Sequence, residues 1–134
     1  MKKTILCIMI VSLSGCTMID AYLMAKFDPN EYQLVNDIRS LSEIGIKYCQ
    51  DQSVVTSTVD QIYLKSIEFK NYVEFIPHNE KTIALSNSLA EMAEPLYKRY
   101  HNPDPISVAY CKQKLSIIEK SSITIEQVLG DKPR

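Results

Sequence analysis

From Leu34 to Ile118 the apolar residues recur at steps of three and four, and the breaks between these stretches are turns built on proline or polar residues. That spacing matches the 3.6-residue period of a helix and not the alternation of a strand. Glycine reinforces the reading, because Gly45 and Gly130 are the only ones after residue 15. The pattern predicts an all-α fold. Helices with one apolar face each must bury those faces against one another, and a compact bundle of about four does so most simply.

Helix punctuation divides the chain. Asp28-Pro29-Asn30-Glu31 predicts a start, with Asp28 as N-cap, Pro29 at the first helical position and Glu31 at the capping-box position. The first helix is expected to reach about Cys49, with Leu34, Ile38, Leu41 and Tyr48 on one stripe and Val35 and Ile44 beside it. A second runs from Gln52 to Phe75 on Val55, Val59, Ile62, Phe69, Val73 and Ile76, with Ser66 filling a gap. Pro77-His78-Asn79 ends it, and Asn79 caps a third helix carrying Ile83, Leu85, Leu89, Met92 and Leu96. Pro95 must kink or restart that helix, because it lacks a donor and clashes one turn back.

Asn102-Pro103-Asp104-Pro105 predicts a turn, after which Asp104 caps and Pro105 opens a fourth helix on Val108, Cys111, Leu115 and Ile118, ending near Lys120. Residues 29–120 thus form the helical domain. In the tail, residues 121–134, Ile123-Thr124-Ile125 favours strand and the run from Glu126 to Leu129 before Gly130 favours a helical turn. A short helix and a loose end are expected there.

The first residues carry a different signal. Met1-Lys2-Lys3 is a short positive segment, and Ile5 to Leu13 is a nine-residue apolar run directly after it. A membrane-spanning helix needs about 20 apolar residues, whereas an export signal needs only about 7 to 15. The run therefore reads as an export signal.

It ends in Leu13-Ser14-Gly15-Cys16, which resembles the lipobox of bacterial lipoproteins at every position. The resemblance implies removal of residues 1–15, a diacylglyceryl group on the Cys16 thiol and usually acylation of the new amino terminus. Residues 16–28 would then be the lipidated start and tether. A secretory peptide cut elsewhere, with Cys16 a bystander, is the competing reading. Two or three acyl chains hold a protein to a membrane durably. Thr17 in place of Asp resembles the enterobacterial pattern for transfer to the outer membrane, which implies an envelope location facing the periplasm.

Cleavage would leave 134 − 15 = 119 residues and remove two lysines, so the charge becomes 13 − 16 = −3. One small domain fits that length. A weakly acidic chain without clustered Lys and Arg gives no case for nucleic acid.

With Cys7 removed and Cys16 acylated, Cys49 and Cys111 are the two thiols left. An oxidising compartment normally joins such a pair, and closing a loop of about 60 residues contributes around 4 kcal/mol on the chain-entropy model. A buried free pair or a Cys-plus-His metal site are the alternatives, but the CxxC and HxxxH spacings of metal sites are missing.

Catalysis finds no support. His78 and His101 sit in proline-containing turns and read as surface residues, and Glu91 and Glu94 read as a solvated face. There is no phosphate loop, haem-attachment motif or G-x-S-x-G elbow, so no cofactor or metal is expected. Tyr97-Lys98-Arg99-Tyr100-His101 is the densest aromatic and cationic stretch. It reads either as a helix end whose cations answer the macrodipole or as an interface, where aromatics and Arg concentrate. In the second reading Met92, Leu96, Tyr97, Arg99 and Tyr100 line a partner groove.

In layout the chain is similar to the secretin pilotins, small all-helical outer-membrane lipoproteins. The likeness covers the lipobox, a first helix ending near Cys49, and Cys111 opposite it, with no motif matched residue by residue. It implies a non-enzymatic domain that grips a helical tail of an envelope protein. A phage- or plasmid-borne lipoprotein that blocks or modifies a host envelope receptor is the second reading, and a small envelope enzyme inhibitor the third.

Overall fold

A computed structural model describes residues 24–134. Among these described residues four helices follow one another: α1 (Pro29–Lys47), α2 (Gln52–Glu74), α3 (Glu80–Tyr100) and α4 (Val108–Gly130). Three of these four starts carry a side-chain cap. Asp28 accepts from Asn30 N, Asp51 from Ser53 N and Val54 N, and Ser107 from Tyr110 N, each satisfying a donor that the first turn leaves free. The chain runs up, down, up, down, with α1 packed on α2 and α4, and α3 packed on α2 and α4. The apolar faces close on one core that includes Val35, Ile38, Ile62, Phe69, Leu89, Leu96, Leu115 and Leu129. Each such side chain contributes about 1.5–3 kcal/mol on full burial.

Several expectations about the helices change. Ile44 and Tyr48 are exposed, and Ser42 and Gly45 take the buried face of α1. Space is the reason: a Cβ on Gly45 would meet Leu115 Cδ1 at 2.8 Å and Thr58 Cγ2 at 3.3 Å. The helix ends at Lys47, two residues short of Cys49.

Pro95 does not restart α3, which runs unbroken to Tyr100. Pro95 and Glu91, the residue whose carbonyl loses its donor, both lie on the solvent face, where water can satisfy that oxygen.

Asp104-Pro105 does not open α4. The Arg99 guanidinium donates to the carbonyls of Asp104 (3.2 Å) and Pro105 (2.8 Å) and keeps this segment outside the helix, which Ser107 then caps.

The tail is neither strand nor loose. The fourth helix continues through residues 121–130 and buries Ile125 and Leu129, so the helical domain extends past Lys120 to the chain's last turn.

Each helix also contributes one fully buried serine, Ser42, Ser66, Ser86 and Ser122. Three of them donate to the carbonyl four residues back, and Ser86 donates to Ile83 O. A hydroxyl satisfied within its own helix needs no partner across the core, so it can sit where only a small side chain fits.

Cys49 and Cys111 form the expected disulfide, with Cα atoms 5.8 Å apart, tying the turn after α1 to the start of α4. Replacing both cysteines by alanine is expected to lower the unfolding free energy by about 4 kcal/mol in urea titration. A loss below about 1 kcal/mol would show that the bridge does not constrain the unfolded chain.

Candidate functional site

The predicted partner residues do not converge on one groove. Leu96 and Tyr100 belong to the core, 1% and 7% exposed, so neither is an open groove residue in the way the sequence suggested. Burial also pushes the Tyr100 hydroxyl above its usual pKa, an effect that Tyr110 adds to and Arg99 opposes. Tyr97 turns towards α2 and stacks on Tyr63 with ring centroids 4.5 Å apart, and His101 packs on its other side at 4.3 Å. Arg99 is engaged by the 104–105 carbonyls. Arg99 and the aromatics at this helix end thus serve the fold, while Lys98 is exposed and pairs with Glu94 on its own helix.

Met92 alone of the five remains both partly exposed and at a cleft. It lies with Pro95, Tyr110 and Ile117 around a hollow of about 240 Å³ between α3 and α4, with Leu96 and Ile118 at its floor and Glu91 and Lys114 at its rim. Ile117 is 42% exposed, and the Lys114 ammonium stands 5.6 Å from the Tyr110 ring centroid. The lining is apolar with one charge of each sign. Such a hollow can take an apolar side chain from a partner helix.

A larger hollow, about 510 Å³, opens at the other end of the bundle, where Met24, His78, Lys81, Thr82 and Val128 surround Asn79 and Lys132. Glu31, Asn79 and Lys132 are all buried there. Lys132 Nζ donates to Glu31 Oε2 at 2.6 Å and to Asn79 Oδ1 at 2.7 Å, and Asn79 Nδ2 donates to Glu31 Oε1. These contacts pair the three buried groups with one another, so the trio is a lock on the fold. Glu31 therefore does not close a capping box, and Asn79 caps nothing with its side chain. Sequence reading missed the trio because Lys132 lies in the stretch taken as a loose end. The chain path supports the same end: Ala25 N donates to His78 O at 3.0 Å and Phe27 N to Pro133 O at 2.8 Å. His78 makes the intervening turn with a φ of 59°, in the left-handed region.

A second buried acid, Glu126 on α4, meets Arg39 Nη1 at 2.6 Å. Its other oxygen, Oε1, finds no hydrogen-bond partner among the described residues. Burial pushes the Glu126 carboxyl above the usual carboxylate range, Arg39 opposes the shift and Glu43 adds to it.

Leu13, Ser14, Gly15 and Cys16, expected as a lipobox and its lipidated cysteine, lie outside the described residues. Among the described residues no three His, Cys, Asp or Glu side chains form a metal-ligating group, and no helix is long and apolar enough to cross a membrane. Compared with protein-family models, curated proteins and solved structures, the chain matches none.

The Glu126 geometry has a pH signature. The folded chain holds this proton more tightly than the unfolded one, so stability falls as pH rises from the ordinary carboxylate range through the raised folded value. Glu126→Gln is expected to flatten that part of the profile, read as urea midpoint against pH for variant and parent. Identical slopes would contradict the assignment.

Proposed function

We propose that the chain is a lipoprotein of the bacterial cell envelope, held at the periplasmic face of the outer membrane by acyl chains on Cys16. Its helical domain is a non-enzymatic module that binds another envelope protein. The complete Leu13-Ser14-Gly15-Cys16 box after a charged start and a short apolar run supports the anchor. A disulfide-stapled bundle supports the layout likeness to secretin pilotins.

The α3–α4 hollow carries the binding reading. Its half-buried Met92 and Tyr110 and exposed Ile117 lie towards the disulfide end, away from the end where the tether enters. A helix from a partner in the periplasm can reach that seam without approaching the membrane, and apolar side chains one helical turn apart would fill it.

Two measurements test the proposal. A clickable palmitate analogue is expected to label the protein, and Cys16→Ala to abolish the label and leave an uncut precursor; equal labelling of the variant would refute the anchor. A photo-reactive residue at position 117 is expected to yield one discrete envelope adduct. The same residue at position 64, 64% exposed on α2, should yield none. Equal adducts at both positions, or none at 117, would refute the seam.

A further inference from the structure

The end of the bundle where the tether enters gathers the starts of α1 and α3 and the ends of α2 and α4. Phe75 is the C-cap of α2 at this end and leaves 84% of its surface in water, more than any other large apolar side chain among the described residues. Met24 (44%) and Tyr72 (37%) are exposed at the same end. The Tyr72 hydroxyl is held, donating to Asp28 Oδ2 at 2.8 Å and accepting from Asn30 Nδ2 at 3.1 Å, so only its ring is offered outward. Aromatic rings with this surround are what the boundary between lipid headgroups and acyl chains accommodates.

Chain length fixes what lies opposite. Eight residue steps separate Cys16 from Met24, which span at most about 26–29 Å when fully extended. An acyl group on Cys16 therefore keeps this end within that distance of the bilayer. The far end is set back by a further helix length, about 35 Å for a helix as long as α2. Exposed charges here are balanced, Lys26, Lys81 and Arg134 against Glu74, Glu80 and Asp131, which favours neither attraction to nor repulsion from anionic lipid. Apolar contact then decides.

We propose that the tether end of the bundle rests on the lipid surface, with the Phe75 ring inserted between headgroups and acyl chains. This rests on the anchor at Cys16. It sets the bundle upright and presents the α3–α4 seam and the disulfide end towards the periplasm. Because the charges cancel, the docking does not require anionic lipid and persists at high salt.

The chain contains no tryptophan, so Phe75→Trp places a single reporter at the contact and Tyr48→Trp, 51% exposed at the disulfide end, a matched control. Both full-length variants are matured in cells, checked for acyl mass, and reconstituted into phosphatidylcholine vesicles whose acyl chains carry bromine. The expected result is blue-shifted emission and several-fold stronger quenching at position 75 than at 48. Lipidated protein that floats with the vesicles but leaves Trp at 75 water-like overturns the docking and spares the anchor. Equal quenching at both positions overturns the upright orientation. Protein without acyl mass overturns the anchor, and the docking with it.

Discussion

A carboxylate, an amide and an ammonium buried together hold this fold at the end where the tether enters. Glu31 stands two residues into α1, Asn79 just before α3 and Lys132 just after α4, so one cluster fixes three segments far apart in sequence. Burying two opposite charges costs several kcal/mol each in desolvation, and good geometry with added hydrogen bonds must offset that. Here both Glu31 oxygens are engaged, and Asn79 bridges the pair with its amide nitrogen and its oxygen. Removing any member takes one buried hydrogen bond from each of the other two. The cluster therefore ties the turn after α4 to α1, and the backbone bonds of Ala25 and Phe27 extend that tie to the segment that enters α1.

The opposite end is secured by covalent and polar means. The Cys49–Cys111 bridge joins the α1–α2 turn to the start of α4, and Arg99 fixes the loop before α4 through two carbonyls. Between the two ends the helices meet through apolar side chains and through serines that bond within their own helix. A body clamped at both ends suits the proposed function, in which one place holds a partner and another is anchored. The proposed seam on α3 and α4 and the proposed lipid contact at Phe75 lie towards opposite ends, so neither use obstructs the other.

Much of the fold was legible in the sequence because its cause is local. Asp28-Pro29 marks the start of α1, period-3.6 apolar spacing marks α2, and the pair Cys49 and Cys111 marks the disulfide. What escaped depends on tertiary contact. No local rule separates Lys132 in a polar tail from a solvated lysine; only the folded chain places it against Glu31. The stripe read for α1 omits Gly45, yet the approach of Leu115 makes it part of the core face, while Ile44 and the C-cap Tyr48 are exposed. The β-branched run Ile123-Thr124-Ile125 suggested strand, but Ile125 and Leu129 extend the α4 stripe, and packing overrides propensity. Leu96 and Tyr100 misled for the related reason that an apolar stripe on one helix does not say whether another helix already covers it.

A double-mutant cycle on Glu31 and Lys132, followed by urea unfolding, measures the interaction on which this arrangement depends. Lys132→Met and Glu31→Leu are each expected to cost about 3–5 kcal/mol, since each leaves a charge buried without its partner. The double variant should cost less than the sum by about 2 kcal/mol or more, the mark of a direct contact. Additive losses, or a Lys132→Met effect within about 0.5 kcal/mol as at an ordinary surface position, would contradict it.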